Sequence, residues 1–196
     1  RSVMQSTESV SPSSTEMSAA MWEWLEATTS PPEGTSRSTS PRMLGSSDGA
    51  WAISSAVNKT FLLWDMQNRV LAEKMQAHTD VVLSVSFSPD MCCIASGSRD
   101  QSIRIWDLES RQVIKQLHGP TEDVYDLEYS PDGKLLVATS KDRSTRIYDV
   151  QEEKLFRLLK GHTDMVLEAE FSPDGLYLLT ASSDQSVILW DVQSGQ

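Results

Sequence analysis

The chain has 196 residues, with 17 Lys plus Arg against 28 Asp plus Glu and a formal net charge of -11. That balance argues against a nucleic-acid binder, whose footprint is a basic patch, and leaves a basic peptide or tail as the easier partner. The two cysteines, Cys92 and Cys93, are adjacent, so they neither staple a long loop nor offer metal-ligand spacing.

Residues 1–44 are rich in Ser, Thr and Pro and poor in β-branched aliphatics. Such a composition cannot bury enough apolar surface to offset the entropy of ordering, so it predicts a disordered leader. One island stands out over 16–27, where Met17, Met21, Trp24 and Leu25 share one face of a possible short amphipathic helix. With no signal peptide and no long apolar run, the expected location is cytoplasmic or nuclear, with no membrane contact.

From residue 45 the pattern becomes periodic. Trp64-Asp65, Trp106-Asp107, Tyr148-Asp149 and Trp190-Asp191 stand 42 apart, as do Ser88-Pro89-Asp90, Ser130-Pro131-Asp132-Gly133 and Ser172-Pro173-Asp174-Gly175. A period of this length with four short strands per unit marks propeller blades. Strands are predicted over 82–87, 92–97, 102–106 and 112–117, then 124–129, 135–140, 145–148 and 156–159, then 166–171, 176–181 and 186–190. Gly133 and Gly175 suit the left-handed φ of the Pro-Asp turn; Met91 in the same place predicts a strained turn or one of another type. Runs such as Phe61-Leu62-Leu63-Trp64 and Val187-Ile188-Leu189-Trp190 are apolar on both faces, as sheets stacked between neighbours require.

With His78-Thr79-Asp80 and Gly161-His162-Thr163-Asp164 opening two of the units, residues 45–196 resemble the WD-repeat β-propeller family. The expected fold is all-β, a partial and open propeller of about three and a half four-stranded blades over 45–77, 78–117, 118–160 and a truncated 161–196. Closed propellers use roughly four to eight blades, so the chain reads as a piece of a longer protein. Residues 43–45 stand where the first blade needs its innermost strand, which is expected to be missing; the last blade is expected to lack its outermost one.

Each complete unit carries a His before its first strand, a hydroxyl ten residues before the Trp, and an Asp six before it. These are His78, Ser96, Asp100 and Trp106 in one unit, and His162, Thr180, Asp184 and Trp190 in another. His, Ser and Asp together suggest a catalytic triad, but an active site need occur only once and this set repeats. A buried indole N–H needs an acceptor, a hydroxyl passes the bond to imidazole, and a carboxylate orients the imidazole. The family resemblance implies the same blade-rigidifying role, with no catalytic residue and no metal or other cofactor. The third unit has Tyr148, Ala138 and a shifted loop from His118 to Asp123, so its network is expected to be broken. The first has Ser54 and Trp64 but Asn58 for Asp and Ser36 for His.

The resemblance also implies recognition at the top rim of the channel. The matching positions are Thr79, Val81 and Arg99, then Thr121, Asp123 and Lys141, then Thr163, Met165 and Ser183. An exposed Met165 beside Lys141 and Asp123 would suit a peptide with a hydrophobic anchor. The expected function is a non-enzymatic scaffold for peptides or protein domains, with no small-molecule substrate. The alternative is a substrate-recognition or regulatory subunit of an enzyme complex such as a ubiquitin ligase, although no pair here continues as Trp-Asp-x-Arg.

Overall fold

Short β-branched runs punctuated by tight turns build fifteen strands in the computed structural model, which describes residues 43–56 and 59–196. The leader up to residue 42, its expected helix over 16–27, Ser36 and Asn58 lie outside those residues. No helix occurs among the described residues. The first sheet holds β1 (Met43–Gly45), β2 (Trp51–Ala56), β3 (Thr60–Asp65) and β4 (Val70–Gln76), and the second β5 (Val82–Phe87), β6 (Cys93–Ser98), β7 (Ile103–Asp107) and β8 (Val113–Leu117). The third holds β9 (Val124–Tyr129), β10 (Leu135–Ser140), β11 (Ser144–Asp149) and β12 (Lys154–Lys160). The fourth has three strands, β13 (Val166–Phe171), β14 (Tyr177–Ser182) and β15 (Val187–Asp191). Within each sheet, strands that follow one another in sequence pair antiparallel. The first blade corrects the expectation of a missing innermost strand: Met43–Gly45 is a short strand, paired to β2 with Leu44 opposite Ile53.

The turn between the first two strands has one design in all four sheets. The N–H of Gly49, Met91, Gly133 and Gly175 donates to the carbonyl of Ser46, Ser88, Ser130 and Ser172 at 2.8 to 3.0 Å. In the same turns the serine hydroxyl donates to the carboxylate two residues on, as Ser88 does to Asp90 at 2.6 Å. Met91 sits at φ 60° where Gly133 has 73°, so its turn is of the same type as the others and the strain resides in its own backbone. Packing against the apolar cluster of blades one and two holds it there. At Gly133 an added Cβ would lie 3.5 Å from the Pro89 ring, an ordinary contact. Gly133→Ala is therefore expected to cost about 1 kcal/mol through φ alone, read as a lower urea midpoint at unchanged m-value; an unchanged midpoint would remove strain from the account.

The core lies between sheets and repeats with the sequence. Blade one gives Ile53, Phe61, Leu63 and Met75 to its interface with Val82, Val85, Phe87, Ile94 and Trp106 of blade two. Forty-two residues on, Ala95, Ile103, Ile105 and Leu117 meet Val124, Leu127, Tyr129, Leu136 and Tyr148. The third interface sets Val137, Ile147 and Leu159 against Ala169, Phe171, Leu178 and Trp190. At each of the three interfaces the following blade brings an aromatic pair, Phe87 with Trp106, Tyr129 with Tyr148 and Phe171 with Trp190, against a mainly aliphatic face that includes Phe61 in blade one, which lets similar units stack. The fourth blade keeps its first face open among the described residues. Val187 and Leu189 are 62% and 61% exposed, whereas their equivalents one blade earlier, Thr145 and Ile147, are 1% and 0% exposed.

Candidate functional site

The antiparallel register of β6 and β7 places Ile94 opposite Trp106, so Ser96 and Trp106 lie two residues apart on one face of the sheet. The indole Nε1–H donates to Ser96 Oγ at 2.8 Å, and that oxygen lies 2.7 Å from His78 Nε2. His78 Nδ1 is 2.9 Å from Asp100 Oδ2. A carboxylate beside Nδ1 keeps the proton there, so Nε2 accepts the serine hydroxyl and the bonds run in one direction from indole to carboxylate. Asp100 Oδ2 also takes the Thr79 N–H at 2.8 Å, and Oδ1 takes the Ser102 hydroxyl at 2.5 Å. Blade four repeats this. Trp190 donates to Thr180 at 2.9 Å, Thr180 Oγ1 is 2.8 Å from His162 Nε2, and His162 Nδ1 is 3.0 Å from Asp184. Ser102 and Ser186 close these networks without having been singled out from sequence, although each stands two residues after the Asp and recurs at the 42-residue step.

The Ser96 and Thr180 hydroxyls are fully buried at the centre of the two chains of bonds. Each is held between an indole N–H and an imidazole Nε2. Burial pushes the His78 imidazole below its ordinary value, against the pull of Asp100. For Asp100, burial acts upward but is outweighed by the Ser102 hydroxyl, the Thr79 N–H and His78, which bring it to about 2.

A neutral His78 is favoured by the fold, so its stabilisation is lost as pH falls below the unfolded value of about 6.5. The Asp100 contribution is present above the ordinary carboxylate value and disappears as pH falls toward 2. The urea midpoint is therefore expected to fall between about pH 7 and pH 5, and to fall again below about pH 4. A profile flat across both windows would overturn the assignment.

Blade three lacks the histidine relay, and its acidic turn has a different partner. Asp142, the counterpart of Asp100, is held by the Arg146 guanidinium, with Nη1 2.8 Å from Oδ2 and both side chains 10% exposed. It also takes the Ser144 hydroxyl at 2.5 Å and the Thr121 N–H at 3.1 Å. Tyr148, which replaces the Trp, donates its hydroxyl to the His118 carbonyl at 3.1 Å, and His118 itself is exposed. Gly119 is required here. At φ 139° its missing Cβ would fall 3.0 Å from the Tyr148 hydroxyl and 3.2 Å from Arg146 Nε. The relay is absent because Ala138 has no hydroxyl, but the acidic turn keeps a partner. In blade one Trp64 donates to Ser54 at 3.0 Å.

The rim residues fall into matched pairs. Arg99 N–H donates to the Val81 carbonyl, Lys141 to Asp123 and Ser183 to Met165, all at 2.9 to 3.0 Å. Thr79, Thr121 and Thr163 each donate their N–H to the turn carboxylate of their own blade. All nine positions thus occupy one equivalent edge of three successive blades. Arg99 Nε reaches Asp123 at 3.6 Å across the blade boundary, and Lys141 reaches Glu122 at 3.8 Å. Met165 is half-buried instead of exposed, and its carbonyl accepts both the Ser182 hydroxyl and the Ser183 N–H. Beside the innermost strands lies a cavity of 630 Å³ whose lining includes Asp126, Glu128, Glu168 and Glu170.

No curated protein matches the chain. The family model described as "WD domain, G-beta repeat" matches residues 69–107, 111–149 and 153–191. Each match begins at or beside an outermost strand and ends on the Asp of a Trp-Asp or Tyr-Asp pair in the next sheet, so the sequence repeat straddles the blade boundary. Such domains generally mediate protein–protein interaction and are typically not enzymes. With more than half of its length matched and four stacked antiparallel sheets in the fold, the chain belongs to the WD domain, G-beta repeat family.

Proposed function

We propose that this chain is a non-enzymatic scaffold that binds peptides or protein domains at the rim of its blades. The observation that carries this reading is the identical backbone setting of the three rim pairs, Val81 with Arg99, Asp123 with Lys141, and Met165 with Ser183. Identical frames carry different side chains, apolar in two blades and charged of both signs between them, and such variation on a rigid platform suits selective recognition. The exposed carboxylates of Glu168 and Glu170 along the cavity favour a basic partner, and half-buried Met165 offers an adaptable apolar contact.

The test uses a display library of extended peptides with one hydrophobic residue among basic ones, and a matched acidic library. Binding from the basic library is expected, and Met165→Asp or Lys141→Glu should weaken it about tenfold, the size of a rim hot spot. Equal selection from both libraries, or binding indifferent to both substitutions, would overturn the reading.

A further inference from the structure

Arg104 and Arg146 hold equivalent places in the second and third blades, each directly across the sheet from the hydroxyl position, Ser96 in one and Ala138 in the other. Their surroundings match at the acidic turn as well, since Ser102 and Ser144 donate to Asp100 and Asp142 alike. Yet the two arginines do different things. Arg146 is bound to Asp142, and His118 stands outside the sheet. Arg104 makes no hydrogen bond or ion pair among the described residues, and its Nε is buried without an acceptor, while His78 occupies Asp100. Its positive charge lies close enough to disfavour protonation of His78. Blade four has Ile188 in this place and no such standby group.

We infer that blade two has two arrangements, the observed one with His78 on Asp100 and a second in which Arg104 takes Asp100 and His78 is presented at the rim, as Arg146 and His118 already do in blade three. The Thr79 anchor need not break in the exchange, because Asp142 keeps the equivalent Thr121 N–H while bound to Arg146. What holds the first arrangement is Ser96. Its hydroxyl would lose the imidazole as acceptor if His78 left, a cost that Ala138 spares blade three. The device changes the rim chemistry beside Thr79 and Val81 without unfolding the blade, and goes beyond the proposed binding role.

The chain has three histidines, so each state carries its own reporter: His118 outside, His162 inside without a standby arginine, and His78 in question. Diethylpyrocarbonate modification, resolved by peptide mass spectrometry on the full chain, reads all three at once. Ser96→Ala should raise the His78 rate relative to His162 by about tenfold, and adding Arg104→Met should reverse most of that rise. Failure of Ser96→Ala to raise that ratio, or a rise that Arg104→Met leaves intact, overturns the inference. In the otherwise unaltered chain Arg104→Met alone should slow His78 modification about threefold. An unchanged rate there overturns it too, whatever the fate of the Ser96 variant.

Discussion

Phe61→Ala is expected to cost about 3–5 kcal/mol, the largest effect of any single truncation considered. Phe61 lies on β3 and is fully buried, and its ring meets the indole of Trp106 edge to face, with centroids 5.2 Å apart and planes at 85°. The loss has three parts: the transfer of a buried ring to water, a cavity between two sheets that cannot collapse without breaking strand pairing, and the aromatic pair itself, worth roughly 0.5–1.5 kcal/mol. Trp106 is also the donor that starts the blade-two relay, so the damage should extend beyond the contact. Val70→Ala serves as the control, because that side chain is 50% exposed and should cost less than about 0.5 kcal/mol. Urea unfolding of the two variants decides the matter. Equal costs would mean that the first interface does not carry the stability assigned to it.

The strands were the most legible part of the sequence, because turn chemistry and apolar alternation recur at one period and each unit corroborates the others. The strand expected over 92–97 forms as Cys93–Ser98, and the one expected over 145–148 as Ser144–Asp149. These one-residue differences arise where ladder bonds extend into turn residues that propensity assigns to loops. The short β1 was not legible. Met43–Gly45 has no strand pattern of its own and pairs because β2 offers it an edge.

The site divides in the same way. Ser96 and Trp106 are ten apart, and antiparallel pairing across a short turn converts that separation into adjacency on one face. Spacing thus identified which side chains meet in blades two and four. It could not show what happens where a member is missing, since the period marks equivalent positions and is blind to a new partner arriving from another. Arg146 is such an arrival: it looks like an ordinary strand arginine until Asp142 needs a cation. Met165 shows the opposite limit, a position that spacing puts at the same blade edge as Val81 and Asp123 but whose half-buried state spacing did not predict.

Arg146→Met should be the second most damaging of these changes, at about 2–4 kcal/mol. The substitution keeps an apolar stem of similar length and removes the charge, leaving Asp142 with the Ser144 hydroxyl and Thr121 N–H but no cation. Burial pushes the Asp142 carboxyl up, while Ser144, Thr121 and Arg146 together hold it below the ordinary range. Without Arg146 that balance tips toward the protonated acid, so the variant should be most destabilised near neutral pH and approach the parent in acid. Adding Asp142→Asn should recover much of the loss, since an amide tolerates the site without a counter-charge, giving a double-mutant coupling of about 1–3 kcal/mol. Arg104→Met makes the comparison sharp. It removes the equivalent arginine from blade two, where Asp100 already has His78, and should change the unfolding free energy by less than about 0.5 kcal/mol. If both arginine variants prove equally costly, or if Arg146→Met and Asp142→Asn simply add, then the Arg146–Asp142 pair does not replace the histidine relay that the other two blades use.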